Sequence, residues 1–311
     1  MVDPTKRGLL VDNIQVAASV EEALAHLSTH RGQAQVIAGG TVLMPAIESG
    51  ASAATYLVDI SQVCTMRRIA LTNGHLVIGG AVTFAALIES PLIRSHAPML
   101  YEAAFAVGGE DVRALATLVG RMVAAEGSAE SSVALVALDA EAEIANLTGS
   151  QWLPVESLFV RSGVSRVDST SEIVTAVRVP LLTEGQGAAL GWMAHPEPSA
   201  PAPIVMALEV SLAPERDTIA WASIALGTPM GIPAHVVAAE QALQGAAVDD
   251  PKTRERFTRL VGAAGADAMR IDETERETVR QALAPLVQGC YDQALRDALA
   301  RPAASNGHVD G

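Results

Sequence analysis

The sequence predicts an α+β protein in two unlike parts, on three observations. Up to about residue 180, short strand-like runs alternate with segments of helical spacing and are punctuated by glycine turns. After Pro180 three strand-like runs follow one another and are succeeded only by helical segments, the segregated order of a separate α+β domain. Of the 311 residues 50% are hydrophobic and only 3% aromatic, so the core must be built from Ala, Val, Leu and Ile. At about 100 to 200 residues per domain, that length organises as two or three domains or subdomains.

The elements are predicted in this order. Ser19-Val20-Glu21-Glu22 has capping-box spacing, which starts a helix running to about His30. Gln35-Val36-Ile37 is a short buried strand. Ala38-Gly39-Gly40-Thr41 then turns the chain into a helix over Val42 to Ser49, with Leu43 and Ile47 on one face. Tyr56 to Ile60 and Leu76 to Ile78 are further strands, while Thr83 to Glu89 and Pro98 to Val107 are helical. Val133 to Leu138 is apolar. Ala142 to Leu147 and Gln151 to Pro154 form two strands around Thr148-Gly149, and Glu172 to Val179 adds another. In the second part the strands are Ala188 to Ala194, Ile204 to Leu212 and Ile219 to Leu226. The helices are Pro233 to Leu243, Lys252 to Met269 and Glu273 to Leu299. Val279, Leu283, Leu286, Val287 and Leu295 recur at helical spacing in the last of these, as core packing requires.

Charge and cysteine usage exclude several functions. Lys plus Arg number 21 against 35 Asp plus Glu, a formal net charge of −14 with no basic cluster, so nucleic acid and anionic membranes are poor partners. Two cysteines, Cys64 and Cys290, are too few for a disulfide framework, a four-thiolate zinc site or an iron–sulfur cluster. Met1 to Gly8 leads into no apolar core, which predicts no secretory leader and a cytoplasmic location. The uncharged run Thr218 to Ala239 is broken by Gly227, Pro229, Gly231 and Pro233, and predicts strand, turn and helix start rather than a membrane span. His26 and His30 share a helix face without a third ligand, so they predict a solvated face, not a metal site. Glu126 and Glu130 form a carboxylate pair with nothing nearby to tune an acid or base, as on a surface helix.

Two segments carry binding chemistry. In Val36-Ile37-Ala38-Gly39-Gly40-Thr41-Val42-Leu43, paired glycines after a strand either form a tight turn or let backbone amides approach a phosphate closely. No Gly-Lys-Ser/Thr follows, and the Gly-x-Gly-x-x-Gly spacing is missing, so neither a P-loop nor a classical dinucleotide fingerprint is present. In Asp111 to Arg121, Thr117, Gly120 and the amides around them form either a second anion-binding nest or a helix end with a glycine cap.

Taken together, the first glycine segment, Leu57-Val58-Asp59-Ile60, Leu76 to Thr83, Glu89-Ser90-Pro91-Leu92, Val112-Arg113, Thr117-Leu118-Val119-Gly120 and Ala137-Leu138-Asp139-Ala140 resemble the FAD-binding subunits of molybdenum hydroxylases. These are the medium subunit of aerobic carbon monoxide dehydrogenase and the flavin domain of xanthine dehydrogenase. Glu172 to Pro180, Ala225-Leu226-Gly227-Thr228-Pro229 and Pro233 to Gly245 continue the likeness, which covers roughly residues 12 to 300.

The resemblance implies a vanillyl-alcohol-oxidase (PCMH)-type FAD-binding fold. Two α/β subdomains, 1–70 and 71–180, hold FAD. A C-terminal α+β domain over 181–303, with a three-stranded antiparallel sheet and helices, covers the ring, and 304–311 is a disordered tail. It implies that Ile37, Ala38, Gly39, Gly40, Thr41, Val42 and Leu43, with Thr117, Val119, Gly120 and Arg121, wrap the diphosphate. By the same resemblance Glu130 faces the adenosine part and Trp192 lies against the flavin ring. No side chain is implied as a catalytic acid, base or nucleophile, and no metal ligand. The implied partners are a large subunit carrying the molybdenum cofactor and a small subunit carrying two [2Fe–2S] clusters, with electrons leaving through FAD to an external acceptor. The alternatives are a scaffold subunit that has lost FAD, or a free-standing flavoenzyme.

The sequence departs from the family at two places. Val119 stands where the family's second loop has the first glycine of a pair; a positive φ there would strain a β-branched residue by about 1 to 3 kcal/mol. Arg121 replaces Asn or Asp, placing a guanidinium where it can make charge-assisted hydrogen bonds to a diphosphate. After Trp192 the run Met193-Ala194-His195-Pro196-Glu197-Pro198 lacks the family's basic residues.

Overall fold

The structure, a computed structural model, describes residues 11–193, 204–269 and 272–301. The proline-rich run after Met193 and the tail 304–311 lie outside the described residues.

The first layer is a small parallel sheet. Strand β1 (Asn13–Val16), helix α1 (Val20–Thr29), strand β2 (Ala34–Ile37), helix α2 (Leu43–Glu48) and strand β3 (Tyr56–Asp59) follow in sequence, and the strands pair in the order β1-β3-β2. Ser19 caps α1, its hydroxyl accepting the Glu22 N–H at 3.2 Å. The Glu22 carboxylate returns to the Ala18 N–H at 2.7 Å, one residue earlier than a strict capping box places it. Helix α1 buries Ala23, Leu24 and Leu27, its one apolar stripe, against the sheet.

Five antiparallel strands form the second sheet. They are β4 (Ile69–Thr72) and β5 (His75–Gly79), then, beyond a block of helices, β6 (Glu141–Asn146), β7 (Gly149–Pro154) and, after the two-stranded ribbon of β8 (Phe159–Arg161) and β9 (Val164–Ser165), β10 (Ile173–Pro180). The order is β4-β5-β10-β6-β7, so β10 crosses to the centre of the sheet. The helices are α3 (Phe84–Glu89), α4 (Pro91–His96), α5 (Pro98–Ala106), α6 (Glu110–Leu115), α7 (Leu118–Val123) and α8 (Glu130–Ala137). Hydroxyl caps at Thr83 and Ser90 and prolines in the first turns of α4 and α5 set where these short helices begin. Phe84, Leu87, Ile93, Met99 and Leu100 are fully buried among them, each contributing about 1.5 to 3 kcal/mol through its removal from water.

The last sheet contains β11 (Gln186–Trp192), β12 (Val205–Leu212), β13 (Ile219–Gly227) and β14 (Ala234–His235), antiparallel and in that order. It has four strands, one more than the sequence predicts. The residues after Pro233 pair with β13 before turning helical, because the Val236 N–H bonds to the Ile224 carbonyl at 2.8 Å and the Glu156 carboxylate accepts the His235 N–H at 2.9 Å. Helices α9 (Val237–Leu243), α10 (Pro251–Ala268) and α11 (Glu273–Ala300) follow. Met206, Leu208 and Val210 of β12 face these helices, where Phe257, Leu283, Val287 and Tyr291 are buried. Val205 and Ala207, pointing the other way, join Ala225 in the core around α8. The third sheet is therefore roofed by its own helices and seated on the helical block of the preceding part.

Candidate functional site

The site begins where β2 ends. Ala38, Gly39 and Gly40 carry the chain from the sheet into α2, and Gly40 adopts φ +70°, a conformation that L side chains rarely take. The N–H groups of Ala38, Gly39, Gly40, Thr41 and Val42 find no acceptor among the described residues. Five successive backbone donors among the lining residues thus lack a partner, and a set of free amides of this kind suits an anion.

The opposite wall is the junction of α6 and α7. Here the structure corrects the reading of Asp111 to Arg121. Gly120 is not a helix C-cap; the segment is a helix, a break at Ala116-Thr117 and a new helix start. Thr117 is the N-cap of α7, its hydroxyl accepting the Gly120 N–H at 3.0 Å, and it is held in place by a bridge to Thr83. Val119 sits in the first turn without positive φ, so the strain considered for it does not arise. Its N–H has no acceptor among the described residues, whereas its side chain is buried in the main core.

The two walls meet through Gly39, whose missing Cβ leaves room for the Leu115 carbonyl. Between them lies a cavity of about 590 Å³. Of the predicted binding residues, Ile37, Ala38, Gly39, Gly40, Thr41, Val42, Leu43, Thr117, Val119, Gly120 and Arg121 all line it. Glu130 and Trp192 are not among its lining residues. Glu130 is buried at the start of α8 behind Arg121, not on a surface helix; burial pushes its carboxyl above the ordinary range, against the pull of Arg121. Trp192 ends β11, 43% exposed.

Other parts of the lining have no signature in the sequence. Gly163, Val164 and Ser165 of the β8–β9 ribbon, with Val167, Ser169 and Glu172 to Val174, close one side. The Val36 N–H donates to the Ser169 carbonyl at 3.0 Å, a backbone contact across more than a hundred residues that no local pattern announces. Glu126 also lines the cavity, and its carboxylate is 3.2 Å from the Arg121 guanidinium, with Glu130 at 3.7 Å. Arg121 therefore supplies the cationic side chain of the wall.

Elsewhere the chemistry is structural. His30 stacks on Tyr56 with ring centroids 3.7 Å apart, and His26 lies 3.7 Å from Glu22. Among the described residues no group of three or more His, Cys, Asp or Glu side chains is placed to hold a metal ion. Cys64 is exposed, while burial pushes the Cys290 thiol up to about 12. No described helix is long and apolar enough to cross a membrane.

The sequence pattern of the FAD binding domain in molybdopterin dehydrogenase matches residues 11–182. The 6-hydroxypseudooxynicotine dehydrogenase complex subunit alpha of Paenarthrobacter nicotinovorans is 35% identical over 174 residues, 56% of this chain and 58% of that relative. The carbon monoxide dehydrogenase medium chain of Hydrogenophaga pseudoflava is 26% identical over 54% of this chain and 58% of its own length. The matched stretch thus spans a little over half of the curated relatives. Among solved structures, carbon monoxide dehydrogenase from Hydrogenophaga pseudoflava superposes with a TM-score of 0.79 at 22% identity, covering 96% of this chain and 99% of the other. Quinoline 2-oxidoreductase from Pseudomonas putida 86 superposes with a TM-score of 0.80 at 21% identity, covering 92% and 98%.

Proposed function

The chain belongs to the family of the FAD binding domain in molybdopterin dehydrogenase, and from that membership we propose that it is the flavin-carrying, electron-transferring subunit of a molybdenum-containing hydroxylase or dehydrogenase. In this reading a large subunit holds the molybdenum cofactor and oxidises the substrate. A small subunit with [2Fe–2S] clusters relays the electrons to this chain, which passes them to an external acceptor. With Cys64 and Cys290 as its only cysteines, the chain lacks the ligands for such clusters, which supports placing them on a partner.

The observation that carries the proposal is the row of unpartnered N–H groups from Ala38 to Val42, in one cavity with the Val119 amide and Arg121. Backbone donors in a concave array suit a diphosphate, and a guanidinium adds charge-assisted bonds. FAD supplies the redox chemistry when bound; the residues of this chain bind, orient and shield it. Gly39 and Gly40 give the backbone its close approach. Val119 holds the second wall in the core, and Glu172 to Val174 close the cavity from the side of β10. No side chain needs to act as a nucleophile or a base. The alternative of a scaffold without FAD draws its motive from Val119, whose place in a helical turn leaves the amide available, and from the proline-rich stretch after Trp192, which lies outside the described residues.

The visible spectrum of the purified chain tests the proposal. Flavin bands at about 370 and 450 nm, present as isolated or after addition of FAD, are the expected result. Gly40→Val should abolish retention, because φ +70° disfavours a β-branched residue and its Cβ would come within 3.2 Å of the Ile37 side chain. Co-purification with a molybdenum and an iron–sulfur subunit tests the assembly; turnover by a stable monomer alone would replace it with the free-standing flavoenzyme.

A further inference from the structure

Glu126 sits in the turn between α7 and α8, and that turn is fixed from both sides. Ala125 has φ +53°, its carbonyl accepts the Gly163 N–H at 2.8 Å, and Gly127 is pressed against the Thr228 and Gly231 carbonyls of the C-terminal part. The backbone of the turn is thus tied on both sides, whereas the Glu126 side chain is 48% exposed. Its carboxylate lies 3.2 Å from Nη2 of Arg121, and both residues line the cavity. Glu130 approaches the same nitrogen to 3.7 Å from the buried side, outside the lining. Arg121 Nε is buried and has no hydrogen-bond partner.

A guanidinium offers five N–H donors in a planar fork that suits a two-oxygen anion. Here two carboxylates crowd one nitrogen and leave another unused, so the fork is only partly satisfied. Together Arg121, Glu126 and Glu130 carry one net negative charge when both acids are ionised, which opposes the entry of a doubly charged diphosphate. Release of Glu126 into solvent leaves Arg121 balanced by Glu130 alone and frees Nη2 on the cavity side.

We propose that Glu126 is a built-in stand-in for phosphate: it occupies Arg121 until the dinucleotide's diphosphate displaces it, while Glu130 stays behind the guanidinium. The proposal rests on the FAD reading above and deepens it. Arg121 is the binding residue, and Glu126 is a positioning residue that acts through Arg121, setting how readily a diphosphate is accepted.

A double-mutant cycle tests this, with FAD binding followed by flavin fluorescence and ADP used as a competing diphosphate without flavin. Arg121→Met should weaken both ligands about tenfold or more, the loss of a charge-assisted hydrogen bond, with Arg121→Lys between it and wild type as the variant that keeps the charge. Glu126→Gln should tighten both ligands several-fold, and should change nothing in the Arg121→Met background. Wild-type binding with Glu126→Gln unchanged or weaker overturns the proposal and leaves the FAD reading standing. Equal tightening by Glu126→Gln in both backgrounds also overturns it, because the carboxylate would then act by direct repulsion. Absence of FAD and ADP binding by the wild-type chain overturns the FAD reading, and the proposal with it.

Discussion

Gly39 and Leu115 touch backbone to backbone: a Cβ on Gly39 would fall on the Leu115 carbonyl oxygen. That contact makes one cavity out of two loops that lie far apart in the sequence. Gly39→Ala should push the β2–α2 turn away from the α6–α7 junction, at a cost of about 1 to 3 kcal/mol as in an overpacked core. FAD retention should fall with it. Melting temperature and flavin content, measured on the same preparation, check this; full flavin occupancy in the variant would show that the two loops do not act as one cradle.

Val119→Gly separates backbone from side chain at the second loop. The Val119 amide is already available and its side chain is 5% exposed in the main core. Restoring a glycine should leave FAD affinity unchanged while lowering stability by about 2 to 4 kcal/mol, from the lost burial and the poorer helix former. Denaturant unfolding alongside a flavin titration measures both; tighter FAD binding would mean that the valine obstructs the site.

Glu209 lies on β12, 8% exposed, opposite Ser223 in the sheet. Burial, reinforced by Asp139 and opposed by Arg301, pushes its carboxyl from 4.5 up to about 8. In that window the folded protein keeps a proton that the unfolded chain has lost, so stability must decline as pH rises, by about 1.4 kcal/mol per unit. Glu209→Gln should flatten the decline and be most stabilising, relative to wild type, near pH 8. Melting temperatures of the two proteins across pH 5 to 8 provide the measurement, and parallel curves would refute the assignment.

His235 titrates with the same sign through a different cause. Its Nδ1 is 2.8 Å from Glu240 and its Nε2 3.5 Å from Asp139, with Glu156 on its backbone N–H. The Glu240 hydrogen bond and the surrounding carboxylates raise its pKa further than burial lowers it. The stabilisation is complete below the ordinary histidine pKa of 6.5 and is lost as pH rises through the elevated folded value. His235→Gln should therefore destabilise the protein more at pH 5.5 than at pH 8.5; an equal effect at both would mean that the imidazole stays neutral.

Much of the cleft was legible in the chain itself. A strand, two glycines and a helix start at residues 36–43 form a local pattern, because turn chemistry and periodicity act over a few residues. The same holds for Ser19 as a helix cap, whereas Ser90 and the helix α4 that it caps were not predicted. Thr117 was legible as a hydroxyl in a candidate binding segment, but its role as the N-cap of α7 was not. That depends on its bridge to Thr83, which fixes where α7 begins.

By itself the sequence determined the α+β class, the aliphatic core and the strand, glycine turn and helix start over residues 36–43, since all of these follow from composition and short-range spacing. Only the tertiary structure decided that Glu130 lies behind Arg121, that β14 joins the last sheet, and that Ser169 and Glu172 to Val174 close the cavity. These placements depend on backbone pairings between distant segments, such as Val36 with Ser169 and Ala225 with His235. Such pairings are selected by the packing of whole layers, and leave no mark in the residues on either side of them.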